Sequence, residues 1–198
     1  MARIPFSVYT VLALAAGLAS GYSGFEVPYA GFMDGALYVL VVAAGFLIGA
    51  ELAGLGGGSS KALVAGGLLS MSTIASGLLS GYIVAGLLGV NLRVGAVIGG
   101  GSGWYSLVGP LVSQVNPLMG LVGFLANLTR EIVHIILYPL LARCCWFPAI
   151  AVGGATTMDT GLPVVTLYGG RRAGLIAMVH GGLITLFAPV VLQFVLFY

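Results

Sequence analysis

Charge is what this chain has least of: seven basic and five acidic residues in 198. A soluble domain of this length needs several times as many ionised groups on its surface, so the deficit excludes an ordinary water-exposed globule. The formal charge of +2 comes without any basic stripe, which excludes nucleic-acid binding. Cysteine is limited to the adjacent pair Cys144 and Cys145, too few for a disulfide framework or a four-ligand zinc site. Only two histidines are present, and they do not have metal-ligand spacing. No Ser–His–Asp arrangement can be read from spacing either. The Gly-x-Gly-Asp and Tyr-Asp elements of an intramembrane aspartyl protease are both missing. The chain reads as a non-enzyme without a cofactor.

What is abundant is apolar length. Hydrophobic residues make up 60% of the chain and mean hydropathy is +1.14. About twenty apolar residues cross a bilayer core as a helix. On that ruler seven candidate spans appear: 6–22, 35–54, 62–88, 94–113, 118–141, 147–167 and 173–197. The first, with Arg3 ahead of an apolar core and small residues at Gly17 and Ser20, has the outline of a signal peptide. It is read as a span because six more follow. The fold class expected is an all-α polytopic membrane protein forming one membrane domain, multi-pass in the plasma membrane. Seven crossings put Arg3, Lys61, Arg171 and Arg172 on one side, with Arg93 and Arg143 on the other. That favours an inside N-terminus and an outside C-terminus. The 33 glycines and stripes such as Ser72, Ser76 and Ser80 are expected to pack helices closely.

Two spans do not read as continuous helices. The fourth contains Gly99-Gly100-Gly101-Ser102-Gly103-Trp104-Tyr105-Ser106 and ends in Gly109-Pro110. The sixth contains Gly153-Gly154-Ala155-Thr156-Thr157-Met158-Asp159-Thr160-Gly161-Leu162-Pro163. A shift of 54 residues aligns Gly99-Gly100 with Gly153-Gly154, Ser102 with Thr156, Tyr105 with Asp159 and Ser106 with Thr160. It also overlays the third span on the fifth. Small-residue composition alone could produce such matches; an internal repeat is the other reading. Paired Gly/Pro-interrupted spans mark the midplane binding site of secondary transporters, so both are expected to be discontinuous or re-entrant.

The chemistry rests on two acids. An ionised carboxylate in a bilayer is costly and usually functional. Asp159 is expected to be buried at the second break, with freed carbonyls and the hydroxyls of Thr156, Thr157 and Thr160 around it. Those oxygens suit a substrate ammonium, Na+ or a proton, and these compete for one carboxylate. A structural acid bonded to backbone amides is the alternative. In the fifth span Asn127, Glu131, His134 and Tyr138 share one helix face, with Arg130 at its edge. That stripe either lines a cavity or only holds helices together through a Glu131–Arg130 or inter-helix pair. His134 alone reads as a hydrogen-bonding core residue. His180, beside Gly181-Gly182, is either structural or faces the interior.

These elements resemble a known family. Gly101-Ser102-Gly103-Trp104-Tyr105-Ser106-Leu107-Val108-Gly109 resembles the glycine-Trp-Tyr-Ser-Leu motif of the LysO-type lysine exporters. Asn127 with Arg130-Glu131 is similar to that family's Asn/Asp-to-Arg-Glu element. The Asp159 run is similar to its Gly-Ala-Thr-Ser-Met-Asp element, with Thr157 in place of serine. Phe46-Leu47-Ile48-Gly49, Val179-His180-Gly181 and Pro189 also fit, in matching order from about Val41 onward. Glu51 departs from the family pattern. The resemblance implies a secondary exporter of L-lysine, and of close analogues such as thialysine, in which acids matching Glu131 and Asp159 are essential. Full-length members carry further spans ahead of the matched part, so the chain resembles the C-terminal module. That implies a homo-oligomer, or a small membrane partner supplying the missing spans.

The expected mechanism exchanges cationic substrate for protons or Na+. The lysine ammonium lies near Asp159, with Glu131 as proton carrier or second cation ligand. The substrate carboxylate meets a half-helix N-terminus or Arg130. Ser102, Trp104, Tyr105 and Ser106 form the facing wall. Two rivals remain: a cation/proton antiporter or channel whose substrate is the ion itself, and a non-transporting membrane scaffold subunit.

Overall fold

The computed structural model describes residues 59–198 continuously, together with the isolated positions 16, 19–23, 35, 39, 42 and 46. The candidate spans 6–22 and 35–54 otherwise lie outside the described residues, as does Glu51. The chain divides into two compact units, Met1–Leu40 and Val41–Tyr198. In the first, the described residues around Ser20 are helical and end in a turn at Ser23. The second carries everything that follows.

Among the described residues of that unit the structure is helical, without strands. Helix α1 is Ser59–Leu88, α2 Leu92–Gly100, α3 Tyr105–Ser113, α4 Pro117–Gly153 and α5 Leu162–Phe197, with a 3-10 turn over Gly154–Met158 between α4 and α5. Two helices are bent. Cys145 has non-helical dihedrals and divides α4 into limbs 117–144 and 146–153. Gly170 (φ 79°) divides α5 into limbs 162–169 and 171–197. Asn91 and Asn116 start α2 and α4 by accepting backbone N–H groups at Arg93, Val94 and Met119. Among the described residues, three helices are long and apolar enough, by length and composition, to cross a membrane: Ser60–Leu88, Pro117–Met158 and Leu162–Phe197.

Packing fixes the direction of each element. Gly81 lies against Gly95 and Gly77 against Gly99, so α2 runs back antiparallel to α1 with the two backbones in contact. Ile98 packs on Gly123 and Gly101 lies against Asn127, so α2 runs parallel to α4. Tyr105 packs edge-on against Phe124 at 5.2 Å, and Gly109 lies beside Gly120, so α3 runs antiparallel to α4. The beginning of α2 and the end of α3 therefore share one end of the bundle.

The segment around the 3-10 turn behaves the same way from the other end. Tyr138 donates to the Trp146 carbonyl (3.4 Å), while Arg130 reaches Ala151 and Val152, so limb 146–153 runs antiparallel to the first limb of α4. Limb 162–169 then returns, with Gly161 against His134 and Gly169 against Tyr138. Limb 171–197 finally runs the length of α1, from Val179 on Gly66 to a packed contact of Leu192 with Gly100. Segments 94–113 and 147–167 are thus each two short limbs around a break. Their hydropathy is that of a span because two limbs of eight or nine residues hold about as many apolar residues as one crossing helix.

The 54-residue shift corresponds to this arrangement. It carries α1 onto the first limb of α4, α2 onto 146–154 and α3 onto 159–167. It also carries the start of α4 onto 171, where the last limb begins.

Candidate functional site: two helix breaks that touch

The first break, residues 101–104, is built from glycine and one strained serine. Ser102 has φ +49°, a region non-glycine residues rarely enter, and its side chain is fully buried. Its hydroxyl donates to the Gly100 carbonyl at 3.0 Å. The second break begins at Gly154, whose φ of +62° and contact with the Ser102 carbonyl leave no room for a Cβ. Ala155 N–H donates to that same carbonyl at 2.8 Å. The two breaks are joined backbone to backbone.

A broken helix exposes polar groups that must find partners. The first limb of α4 supplies them for both breaks. Asn127 Oδ1 accepts the Gly103 N–H at 2.8 Å, and its Nδ2 donates to Ile98 O (2.9 Å) and Gly123 O (3.0 Å). Arg130 Nε donates to Val152 O at 2.8 Å and Nη2 to Ala151 O at 2.9 Å. The guanidinium thus bonds helix-end carbonyls, where the sequence suggested a Glu131 pair or a substrate carboxylate.

The acids meet one turn further along. Glu131 is buried (5% exposed). Asp159 is exposed, a correction to the buried acid the sequence suggested: past the 3-10 turn its backbone (φ −128°, ψ −92°) swings the residue to the accessible side. Thr160 links the two. Its hydroxyl is bonded to Glu131 Oε1 and lies 3.3 Å from Asp159 Oδ1, which also accepts the Thr160 N–H at 2.6 Å. Having one proton, that hydroxyl serves one carboxylate at a time.

The remaining predicted residues divide by role. Thr156 bonds Gly153 O at 3.0 Å, tightening the turn rather than facing Asp159. Thr157 bonds Gly154 O (2.7 Å) and Ala177 O (3.1 Å), and touches His180 Nδ1 at 3.0 Å. His180 Nε2 contacts Thr73 Oγ1 at 3.0 Å, so this buried ring ties the second break to α1. Thr73 and Ser70, which bonds the His180 carbonyl at 3.0 Å, are positioning residues that sequence reasoning missed. Only their hydroxyls signalled them. The Ser72, Ser76 and Ser80 hydroxyls instead bond carbonyls of their own helix. Trp104 is buried at the start of α3, Tyr105 is half-buried and Ser106 is exposed. No group of three or more His, Cys, Asp or Glu able to hold a metal ion occurs among the described residues.

The chain matches the family described as lysine exporter LysO over residues 11–196. It is 33% identical to the lysine exporter LysO of Escherichia coli (strain K12) over 153 residues, which are 75% of this chain and 51% of that protein. It is 32% identical to a putative lysine exporter of Haemophilus influenzae over 161 residues, 80% of this chain and 82% of that protein. The chain thus spans about half the length of the Escherichia coli relative. No solved structure matches it. That family is one of transporters, not enzymes, and the two touching breaks, the Asn127 and Arg130 bonds and the Glu131–Thr160–Asp159 link all fall within the matched residues: the chain belongs to the lysine exporter LysO family.

Proposed function

We propose that this chain is a secondary exporter of L-lysine, and of close analogues such as thialysine, driven by a proton or Na+ gradient across the plasma membrane. The observation that carries the reading is the Thr160 hydroxyl shared between Glu131 and Asp159 beside the contact of the two breaks. Two carboxylates joined by one hydroxyl form a site that a cation can enter as a proton leaves.

In this reading the α2–α3 pair and the pair around the 3-10 turn are re-entrant hairpins entering from opposite membrane faces. Each limb of α2 and α3 has nine residues, about 13 Å of helix, or roughly half of a 30 Å bilayer core. Both tips then reach the midplane. Non-helical backbone is tolerated there because it is buried in protein and bonded to Asn127 and Arg130. The basic residues support the same arrangement. Lys61, Arg172 and Phe147 line one cleft, and Arg172 stacks over Trp146. Arg143 and Arg171 adjoin that end, with Arg93 at the other. This end is cytoplasmic by the positive-inside rule, a stronger bias than seven full crossings give.

Lysine's side-chain ammonium binds between Asp159 and Thr160, with Glu131 beside them as proton carrier or second cation ligand. Na+, which favours oxygen ligands, would use the same carboxylates and hydroxyl. With Arg130 engaged by carbonyls, the substrate carboxylate faces the N-terminus of α3 at Tyr105 and Ser106, which has no side-chain cap. A second copy of this chain, or a small membrane partner, completes the transporter. Exposed apolar residues on α1 and α4, among them Met71 and Ile136, are available to it or to lipid.

Radiolabelled lysine counterflow in proteoliposomes, beside Asp159→Asn and Glu131→Gln, tests the reading. Flux in the wild type and its loss in both folded variants is expected. Normal coupled transport by both variants would reject the assignment. Proton–cation exchange insensitive to lysine would replace it with an ion antiporter, and absence of all flux would point to a missing partner, another substrate or a scaffold subunit.

A further inference from the structure

His134 is the anomaly of the core. Its side chain is completely buried, yet neither Nδ1 nor Nε2 has a hydrogen-bond partner. Leaving a buried polar group unpaired is costly, and most such groups are satisfied. The contrast lies within the same site, where His180 is equally buried and has a hydroxyl on each nitrogen. The core-histidine reading suggested by the sequence therefore fits His180 and not His134.

The ring's location gives the orphaned nitrogens a meaning. One turn along the same face of α4 lies Glu131. The Nδ1–Cε1 edge of the imidazole occupies the space where a Cβ of Gly153 or Gly161 would stand, so both residues bounding the second break rest on it. Asp159 and Thr160 lie between those glycines. A group that pushes on Gly153 and Gly161 while attracting Glu131 acts on both halves of the acid pair.

We propose that His134 is the coupling-proton site of the exporter, a role that rests on the exchange mechanism above. Uncharged, the ring leaves Glu131 bonded to Thr160. Taking up a proton gives an imidazolium that needs an anion beside it, and Glu131 is the acid on its own helix face. The surrounding charged and titratable groups are Arg130, Glu131 and Tyr138 on α4, Asp159 on the segment packed against the ring, and His180 on α5. Arg130 carries the opposing charge but is held by the Val152 and Ala151 carbonyls. Glu131 is therefore the partner able to move. Its turn toward His134 breaks the Thr160 link, separates Glu131 from Asp159, and releases the cation. One proton taken from water is exchanged for one bound cation, without covalent change.

The chain has only two histidines, so ring-nitrogen NMR on the full, reconstituted protein resolves the question, with His180→Gln identifying the second signal. The expected result is that the His134 ring takes up a proton within the pH range over which lysine flux is coupled, and that Glu131→Gln moves its midpoint by about one unit, a tenfold change in proton affinity. A ring that keeps one protonation state throughout, or a midpoint indifferent to Glu131→Gln, overturns the proposal. Flux gives a second arm. His134→Gln should keep lysine counterflow at equal pH and lose accumulation driven by a pH gradient; His134→Asn serves if glutamine does not fit beneath the glycines. Gradient-driven accumulation at the wild-type level in a folded variant also overturns it. Absence of lysine flux in the wild type would count against the export reading, leaving the NMR titration to decide on His134.

Discussion

Asn127 and Arg130 stand one turn apart on α4, and each satisfies a different helix break. The carboxamide accepts the Gly103 N–H and donates to the Ile98 carbonyl across the first break. The guanidinium donates to the Val152 and Ala151 carbonyls at the second. One helix face therefore holds both irregular segments in register, and Glu131 follows immediately after on the same surface. The polar stripe clamps both breaks.

Removing the amide should expose that coupling. Asn127→Ala leaves the Gly103 N–H and the Ile98 carbonyl buried without partners, at a cost of about 2–4 kcal/mol. Asn127→Asp keeps an acceptor for Gly103 but presents no donor to Ile98, and is not expected to restore stability. Thermal unfolding in detergent should rank wild type above both variants. A melting temperature unchanged in Asn127→Ala would contradict the clamp.

Arginine at position 130 should not be replaceable by lysine. Two carbonyls of successive residues are served by the fixed fork of one guanidinium, which a single ammonium cannot reproduce. Arg130→Lys is expected to lose about 1–3 kcal/mol and to increase cysteine labelling at a probe placed at Ala151. Equal labelling in the two proteins would show that Arg130 does not hold this limb.

Thr160 offers a cleaner separation of fold from function. Valine matches its shape without the hydroxyl, and the residue is exposed, so Thr160→Val should fold normally. Coupled transport should fall at least about tenfold, because Glu131 and Asp159 no longer share a proton donor. Thr160→Ser should retain transport. Equal activity of the valine and serine variants would remove the hydroxyl from the mechanism.

Membrane sidedness distinguishes hairpins from crossings. Cys144 is exposed and adjoins the end that carries Lys61. If both interrupted segments re-enter, Cys144 and a cysteine at Lys61 react with an impermeant thiol reagent from the same side. A cysteine at the exposed Val115 reacts from the other side. Two full crossings would instead put Cys144 opposite Lys61, with Val115 on the Lys61 side.

Much of this arrangement was legible in the residues. Glycine runs, hydroxyls and prolines marked both breaks, the 54-residue shift related them, and helical spacing put Asn127 and Glu131 on one face. What the residues could not disclose is direction. A nine-residue limb that returns and one that continues have the same hydropathy, and only contacts such as Tyr105 on Phe124 distinguish them. Individual side-chain partners were also hidden. Arg130 beside Glu131 suggested an ion pair, but the nearby helix end offered carbonyls in better geometry for a guanidinium. Asp159 looked buried because apolar segments flank its break on both sides, whereas past the 3-10 turn the residue is exposed.

If both interrupted segments re-enter the bilayer, the Ala155–Ser102 hydrogen bond is where their tips meet, and the barrier there is about one peptide thick. If water follows each hairpin to its tip, the transmembrane voltage falls across that contact instead of over the full bilayer. A charge displaced by a few ångströms there would sense most of the potential, about 2.3 kcal/mol per 100 mV. The electric work of moving a cation would then be done in a single short step, and transport would respond steeply to voltage as well as to concentration.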